Sequence, residues 1–292
     1  MSDAFTPERF TVDVPGGELL VARWGSGETV VIAAHGVTAT HMGWPRLAEH
    51  LGDDVTLLAP DLRGRGGSRD IEGPFGIPEH ADDLARVLDH EGVARAIFLG
   101  HSMGGFVVST AAVRHPERVA GLVIADGAIR LLEPPPDVDV EALLQQIIGP
   151  SLDRLRMTFP TVEAYRAFWR AHPALAGAWS PFVEAYVDYD LIGEPPSLRS
   201  GVREDAVLRD SADTLMNDEV IGAIGRITQP AIFVRSERGV MNDPTPLYEA
   251  AAVAAYPHLT DVFVPDTNHF TLLLGEAGAR ALADAVRTVA RA

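Results

Sequence analysis

The sequence predicts an α/β protein in which a mostly parallel, doubly wound sheet carries an inserted helical segment. Over residues 1–130, short apolar runs alternate with helix-forming stretches, as they do in consecutive βαβ units. This alternation stops over residues 131–227, where apolar residues instead follow helical spacing, and it resumes after residue 228. The predicted organisation is therefore a core of residues 1–130 and 228–292, with a helical cap of residues 131–227 inserted into it.

Apolar runs predict the strands of the core. A hairpin opens the chain, because alternating residues lie on both sides of the turn Pro15-Gly16-Gly17. The later runs are continuously apolar, which is typical of strands buried on both faces of a parallel sheet, and they cover residues 29–34, 55–59, 96–99, 119–125, 231–234 and 261–264. Ligands bind at the carboxyl ends of such strands, so the residues that follow these runs are the candidates for function.

The most informative stretch is Gly100-His101-Ser102-Met103-Gly104, between the run at 96–99 and a helix-forming segment. The pattern G-x-S-x-G between a strand and a helix is a nucleophile elbow. A serine at the tip of such a turn adopts a strained backbone conformation, and glycines without a Cβ leave room for it. The sequence therefore predicts that Ser102 is a nucleophile at the edge of the sheet.

Four segments in this order resemble the α/β-hydrolase superfamily: the strand leading into His35-Gly36, the loop 61–68, the elbow, and Asp266-Thr267-Asn268-His269. The resemblance covers nearly all of the chain apart from the cap. It implies the α/β-hydrolase fold and a hydrolytic reaction. It also implies that His269, just after the last strand, is the base that activates Ser102.

The same resemblance implies where an oxyanion hole is formed. Such a hole needs two donors aimed at the negative charge that develops on the substrate. The backbone N–H of Met103 is the first expected donor, and the backbone N–H of Val37 is the second. Gly36 is expected to let the chain pass close to the substrate, and Thr38 is a candidate for a further substrate contact.

The acid of a serine–histidine–acid triad is left open by the sequence. The superfamily usually carries it in a Gly-x-x-Asp turn after the cap, but the stretch here reads Ser236-Glu237-Arg238-Gly239. A glycine cannot orient an imidazole. Three carboxylates remain: Asp126 at the end of a core strand, Glu237 in the expected turn, and Asp243 further along the loop. Asp126 is the first choice and Glu237 is the alternative.

The aromatic residues of the cap indicate a mainly apolar substrate, with Trp169 and Tyr186 as candidate contacts. The expected reaction is hydrolysis of a carboxylic ester or lactone through an acyl-enzyme. Hydrolysis of a thioester or of a C–C bond by the same triad is the alternative, and a non-catalytic ligand-binding relative is a third hypothesis, supported only by Gly239. Epoxide hydrolases and haloalkane dehalogenases are disfavoured, because they use an aspartate where this chain has Ser102.

Composition excludes several classes of function. A net charge of −17 over 292 residues makes nucleic acids and anionic membranes poor partners. The absence of cysteine excludes disulfides and thiol catalysis, and the absence of lysine excludes Schiff-base chemistry. No motif for a metal or another cofactor is found, so none is expected.

Residues 1–5 do not resemble a secretory signal, and no apolar run is long enough to span a membrane, so a cytoplasmic protein is expected. The expected partners are an apolar small-molecule substrate and, as an open alternative, a second copy of the chain in a homodimer.

Overall fold

The structure is a computed structural model that describes residues 6–135 and 138–292. One sequence-based prediction, the absence of a secretory signal in residues 1–5, lies outside these residues. The run Glu133-Pro134-Pro135-Pro136 also predicts a linker at the start of the cap, and its last residue, Pro136, lies outside them as well. Among the described residues, no helix combines the length and the apolar character that crossing a membrane requires.

An eight-stranded sheet forms the centre of the molecule. The strands in chain order are β1 (Glu8–Val14), β2 (Gly17–Trp24), β3 (Thr29–Ala34), β4 (Val55–Pro60), β5 (Ala96–His101), β6 (Val119–Ala125), β7 (Leu191–Ile192), β8 (Arg199–Ser200), β9 (Ala231–Arg238) and β10 (Leu259–Asn268). The sheet has the order β1-β2-β4-β3-β5-β6-β9-β10, and β2 runs in the direction opposite to the other seven strands. The short strands β7 and β8 pair separately. This confirms the predicted, mostly parallel sheet and its opening hairpin.

The chain forms helices on both faces of the sheet and in the segment between β6 and β9. They are α1 (Pro45–Leu51), α2 (Ile77–His90), α3 (Met103–Arg114), α4 (Val140–Arg156), α5 (Val162–Arg170), α6 (Pro181–Tyr189), α7 (Glu204–Met216), α8 (Asp218–Ile221), α9 (Ala250–Ala254), α10 (Thr271–Leu274) and α11 (Glu276–Val289). Side chains along a strand alternate between faces, so Val31 and Ala33 pack with α1 and α11, while Ile32 and Ala34 pack with α2 and α3. The sheet is therefore doubly wound, as predicted.

The segment between β6 and β9 contributes α4 to α8 and the β7–β8 pair, and its described residues add no strand to the main sheet. Its two halves differ in what they contact. Tyr165 and Trp169 of α5 join the core cluster that also contains Tyr186 of α6. Helix α7 instead packs against α2 and α3 of the core. The helical insertion is thus present, and the positions 131 and 227 for its ends stay a prediction.

Candidate active site

Ser102 occupies a sharp turn between β5 and α3. Its backbone has φ 57° and ψ −122°, a conformation that costs energy for any residue with a side chain. The glycines on either side are needed for packing: a Cβ on Gly100 would lie 2.1 Å from the Gly104 carbonyl oxygen, and a Cβ on Gly104 would lie 2.0 Å from the Ala34 carbonyl oxygen. The Ser102 side chain is partly exposed. The local geometry is therefore that of the predicted elbow.

His269 and Asp126 meet at the same edge of the sheet. Asp126 directly follows β6 and His269 directly follows β10. Because these strands run in the same direction, both residues lie at the carboxyl end of the sheet. The His269 Nδ1 lies 3.3 Å from the Asp126 Oδ2, and the carboxylate is fully buried. The Ser102 N–H donates to the Ala125 carbonyl at 2.9 Å, which places the elbow beside this pair. An ionised Asp126 can only accept, so Nδ1 carries the proton and Nε2 is left to act as a base.

Ser236 holds the Asp126 carboxylate, and sequence reasoning did not identify it. Its backbone N–H donates to the Asp126 Oδ1 at 3.0 Å, and its Oγ lies 2.5 Å from the Oδ2. Burial alone would raise the pKa of Asp126. The hydrogen bond and charge of His269, together with the two bonds from Ser236, outweigh burial and hold this pKa below its usual range. Asp126 is therefore ionised at neutral pH and lies in contact with the His269 ring. A polar residue at the end of a buried strand was the only signal for Ser236 in the sequence.

The other two candidate acids lie elsewhere. Glu237 belongs to β9 and not to a turn, and its neighbour Ser236 faces Asp126, so Glu237 points to the opposite side. Its Oε2 accepts the backbone N–H of Asp266 at 2.7 Å. Asp243 is exposed, and its carboxylate lies beside Gly239, where a Cβ would be 3.3 Å from the Asp243 Oδ2. Of the three carboxylates, Asp126 is the one that the structure brings to His269.

His101 supports the backbone of His269. The two rings are 4.5 Å apart between centroids, and the His101 Nε2 donates to the His269 carbonyl at 2.9 Å. A carbonyl only accepts, so Nε2 carries the proton. Burial is the main cause that lowers the pKa of His101 to about 3, which keeps its ring neutral. His101, which precedes Ser102 in the elbow, thus holds the backbone of His269 in place.

The loop after β3 lies directly against the elbow. A Cβ added to Gly36 would lie 3.3 Å from the Ser102 Cβ and 3.7 Å from its Oγ, so the missing side chain leaves space beside the hydroxyl. His35 shapes this loop: its Nε2 accepts the Leu62 N–H at 2.9 Å, and its Nδ1 donates to the Gly36 carbonyl at 2.8 Å. Burial lowers the pKa of His35 to about 3, in keeping with this neutral tautomer. The same carbonyl also accepts the Ala39 N–H at 3.1 Å.

The two predicted oxyanion donors belong to residues next to groups at the elbow: Met103 follows Ser102, and Val37 follows Gly36, which lies against the Ser102 side chain. Met103 is the first residue of α3, and N–H groups in the first turn of a helix have no acceptor within that helix. Within the described part of the chain, the Val37 N–H donates to no protein acceptor. A free donor at a helix N-terminus and a free donor on a fixed loop are groups of the kind that stabilise negative charge. Their catalytic roles, like those of Ser102, His269 and Asp126, stay predictions.

A narrow pocket, which has no room for a water molecule in this structure, lies between this loop and the cap. Its lining combines three loop residues with four residues of the cap: Thr38, Ala39, Thr40, Trp169, Tyr186, Val187 and Asp190. The structure therefore brings together Thr38, Trp169 and Tyr186, the three side chains predicted to contact substrate. Asp190 is the one acidic residue in the lining, and Arg154 pairs with it at 2.6 Å. The charge of the carboxylate is thereby compensated within the cap.

No group of three or more His, Asp or Glu side chains within residues 6–135 and 138–292 is arranged to hold a metal ion. The chemistry available at this edge of the sheet is that of a serine hydroxyl, an imidazole, a carboxylate and backbone donors. Such a set can perform nucleophilic acyl transfer.

Comparison with known proteins assigns the chain to a family. The model of the alpha/beta hydrolase fold matches residues 29–276. The 2-(acetamidomethylene)succinate hydrolase of Mesorhizobium japonicum is 26% identical over 92% of this chain and 90% of its own length. Lipase LipV of Mycobacterium tuberculosis is 40% identical, but only over 39% of this chain and 43% of its own length. The crystal structure of E-2-(acetamidomethylene)succinate hydrolase matches with a TM-score of 0.75 at 25% identity, over 96% of this chain and 100% of that one. Together with the fold and the elbow, these matches show that the chain belongs to the α/β-hydrolase family.

Proposed function

We propose that this α/β-hydrolase is a serine hydrolase that cleaves a carboxylic ester or lactone of a mainly apolar small molecule. The observation that carries the proposal is the contact of His269 with the ionised Asp126, beside the strained elbow at Ser102. A serine hydroxyl is a weak nucleophile until a base removes its proton, and an oriented imidazole is such a base.

The reaction proceeds in two halves. The Ser102 Oγ attacks the carbonyl carbon while its proton moves to the His269 Nε2, and the carbonyl oxygen becomes negative between the N–H groups of Val37 and Met103. The C–O bond to the leaving alcohol then breaks, and the alcohol takes the proton from His269. Water repeats the sequence on the acyl-enzyme, giving the acid and free Ser102. Each oxyanion donor is expected to contribute about 10²- to 10³-fold to kcat.

The side chains that line this pocket, which do not include Ser102 or His269, favour an uncharged substrate. Apolar side chains of Ala39, Trp169, Tyr186 and Val187 face the pocket, and the single carboxylate of Asp190 is neutralised by Arg154. Burying a charged group in such a place would cost free energy without a partner to compensate it. An alkyl or aryl ester therefore suits the site better than a polyanion.

Labelling with a fluorophosphonate probe tests the nucleophile. We expect the wild-type protein to be labelled and Ser102→Ala to remain unlabelled. Ser109→Ala, which changes a buried serine of α3, is the control and should be labelled like the wild type. An unlabelled wild-type protein, with its fold verified by circular dichroism, would contradict an activated serine.

A substrate panel then tests the bond type. It contains p-nitrophenyl esters, lactones, thioesters and a dienoate whose C–C bond is cleaved, and we expect the highest kcat/KM among the esters and lactones. The highest value for a thioester or for the dienoate would instead favour one of the alternatives predicted from the resemblance. Binding of these compounds without turnover would favour a non-catalytic relative.

A second candidate reaction comes from the relative that matches the chain nearly end to end. That protein is named for the hydrolysis of 2-(acetamidomethylene)succinate, and its similarity extends over 92% of this chain. Adding this compound to the panel tests the transfer of that activity. A kcat/KM above that of every ester would replace the ester proposal by this one.

A further inference from the structure

Arg65 is a fully buried residue that contacts both the loop after β3 and the insertion. Its Nε and Nη2 donate to the Val37 carbonyl at 2.9 and 2.8 Å. Its Nη1 lies 2.5 Å from the Asp210 Oδ2 and donates to the Arg63 carbonyl at 2.7 Å. Its Nη2 is also 4.0 Å from the Met103 Sδ. One guanidinium therefore touches both residues that are proposed to supply the oxyanion donors.

The charge of Arg65 is compensated from the insertion. Asp210 lies on α7, and its Oδ2 also accepts from the His80 Nε2 of α2 at 2.9 Å. Burial alone would raise the pKa of Asp210, but His80 and Arg65 lower it below its usual range, so the carboxylate is ionised. Buried ion pairs contribute little net stability, because both charges lose their hydration. Stability alone is therefore a weak reason for an arginine at this position.

The bonds from Arg65 restrict the backbone around the proposed donor. The Val37 N–H and the Gly36 carbonyl belong to the same peptide group. The His35 Nδ1 and the Ala39 N–H both donate to this carbonyl and so fix the orientation of that group. The next peptide carries the Val37 carbonyl, which the planar fork of Arg65 holds with two bonds. Both peptide planes that flank the Val37 Cα are thus fixed. An oxyanion hole depends on such fixed donors, since donors that must reorient during the reaction stabilise the transition state less.

We propose that Arg65 is a positioning residue for the oxyanion hole and that Asp210 holds it in place, so that docking of α7 is coupled to the geometry of the Val37 N–H. This inference rests on the proposed serine hydrolase function. Arg65 acts through the Val37 backbone and not by contact with substrate. Its loss is therefore expected to affect the transition state more than the binding of substrate.

Arg65→Lys tests the proposal, because lysine keeps the charge but cannot form the two parallel bonds to the Val37 carbonyl. Arg63→Lys is the matched control. Arg63 is equally buried in the same loop and pairs with Asp83 at 2.5 and 2.9 Å, but its other bonds go to the carbonyls of Pro15 and Pro74. Both variants lose an arginine fork, and only one of those forks holds the proposed oxyanion hole.

With a p-nitrophenyl ester, we expect Arg65→Lys to lower kcat about 10- to 100-fold at a nearly unchanged KM, whereas Arg63→Lys leaves kcat nearly unchanged. An alkyl boronic acid, which forms a tetrahedral adduct with a serine, should lose affinity for Arg65→Lys in proportion to the loss in kcat/KM. Equal losses in the two variants, corrected for their folded fractions, would overturn the proposal. A raised KM at unchanged kcat would overturn it as well.

Asp210→Asn provides a milder change, since the amide oxygen can still accept from Arg65. We expect a smaller decrease in kcat than for Arg65→Lys, again with KM nearly unchanged. A lowered melting temperature with an unchanged kcat would show that α7 is not coupled to the oxyanion hole. Fluorophosphonate labelling of the wild type separates the two proposals: its absence contradicts the serine hydrolase, whereas labelling with identical behaviour of Arg65→Lys and Arg63→Lys contradicts this inference alone.

Discussion

Three buried histidine–aspartate pairs occur in the described part of the molecule, and only one of them lies beside the elbow. His269 and Asp126 are 3.3 Å apart, whereas the corresponding distance is 2.8 Å for His41 with Asp61 and 2.9 Å for His80 with Asp210. The shorter pairs are fully buried, while the His269 side chain retains 8% exposure. The pair at the proposed active site is therefore the loosest and the least enclosed of the three.

The comparison shows that a buried His–Asp contact does not by itself make a base. Asp61 also accepts from the backbone N–H groups of His41 and Gly67 and from the Tyr189 hydroxyl. The other ring nitrogen of His41 faces the guanidinium of Arg9 at 3.4 Å, so it is closed to a reactant. The surroundings of the second ring nitrogen, and not the presence of an aspartate, therefore distinguish the His41 pair from the pair proposed to react.

The largest expected effect is the loss of kcat on replacing Asp126, which distinguishes it from the other candidate acids. Asp126→Asn should lower kcat by about 10⁴-fold, because the imidazole then loses the partner that fixes its tautomer. Glu237→Gln is the control, and it should leave kcat nearly unchanged because Glu237 bonds to the Asp266 N–H. Steady-state kinetics with one ester measure both variants. The opposite pattern would assign the acid to Glu237.

Asp61 should behave in the opposite way to Asp126. Asp61→Asn leaves a buried histidine without its charged partner and should lower the free energy of unfolding by about 3 kcal/mol, with kcat of the folded fraction little changed. Asp261→Asn breaks the partly exposed pair with Arg235, so its effect on stability should be below about 1 kcal/mol. Urea unfolding and initial rates at a temperature below both transitions give the two quantities. A kcat loss for Asp61→Asn as large as that for Asp126→Asn would remove the distinction between the pairs.

The smallest expected effect is the pH dependence of the free energy of unfolding that arises from His35 and His101. These two histidines support the site without a carboxylate partner. Their pKa values are about 3 in the folded protein, against about 6.5 in an unfolded chain. Between these pH values the unfolded chain binds more protons, so the free energy of unfolding decreases as the pH falls, by about 1.4 kcal/mol per pH unit for each histidine. His101→Gln should reduce this slope by about 1.4 kcal/mol per unit between about pH 6 and pH 5. Urea unfolding over this range measures it, and an unchanged slope would show that His101 is not buried in its neutral form.

Patterns that are local in the sequence predicted most of the fold. The apolar runs of a parallel sheet and the glycines around Ser102 act over a few residues, so the strands, the elbow and the helical insertion could be predicted before the structure. Asp126 could be named as a candidate for the same reason, since it ends an apolar run.

The remaining features depend on contacts between distant segments. Whether Asp126 or Glu237 reaches His269 is decided by the direction in which β9 presents Ser236, and alternation along a strand becomes informative only when its neighbours are known. Arg65 and Asp210 are separated by 145 residues, so no pattern in the sequence indicates that they meet. The pairing of polar residues in the interior is therefore the part that the sequence could not supply.

The location of the acid has a consequence for exchanging one cap for another. Ser102, Asp126 and both proposed oxyanion donors precede the insertion, and His269 is the one member of the set that follows it. The carboxylate that contacts His269 comes from Asp126 and not from the loop after β9, so this contact does not fix the length of that loop when a different lid is grafted. A grafted lid would still have to present a carboxylate where Asp210 meets Arg65. A chimera that changes substrate range while keeping kcat is therefore expected to join its donor lid before α7 and to retain α7 from this chain.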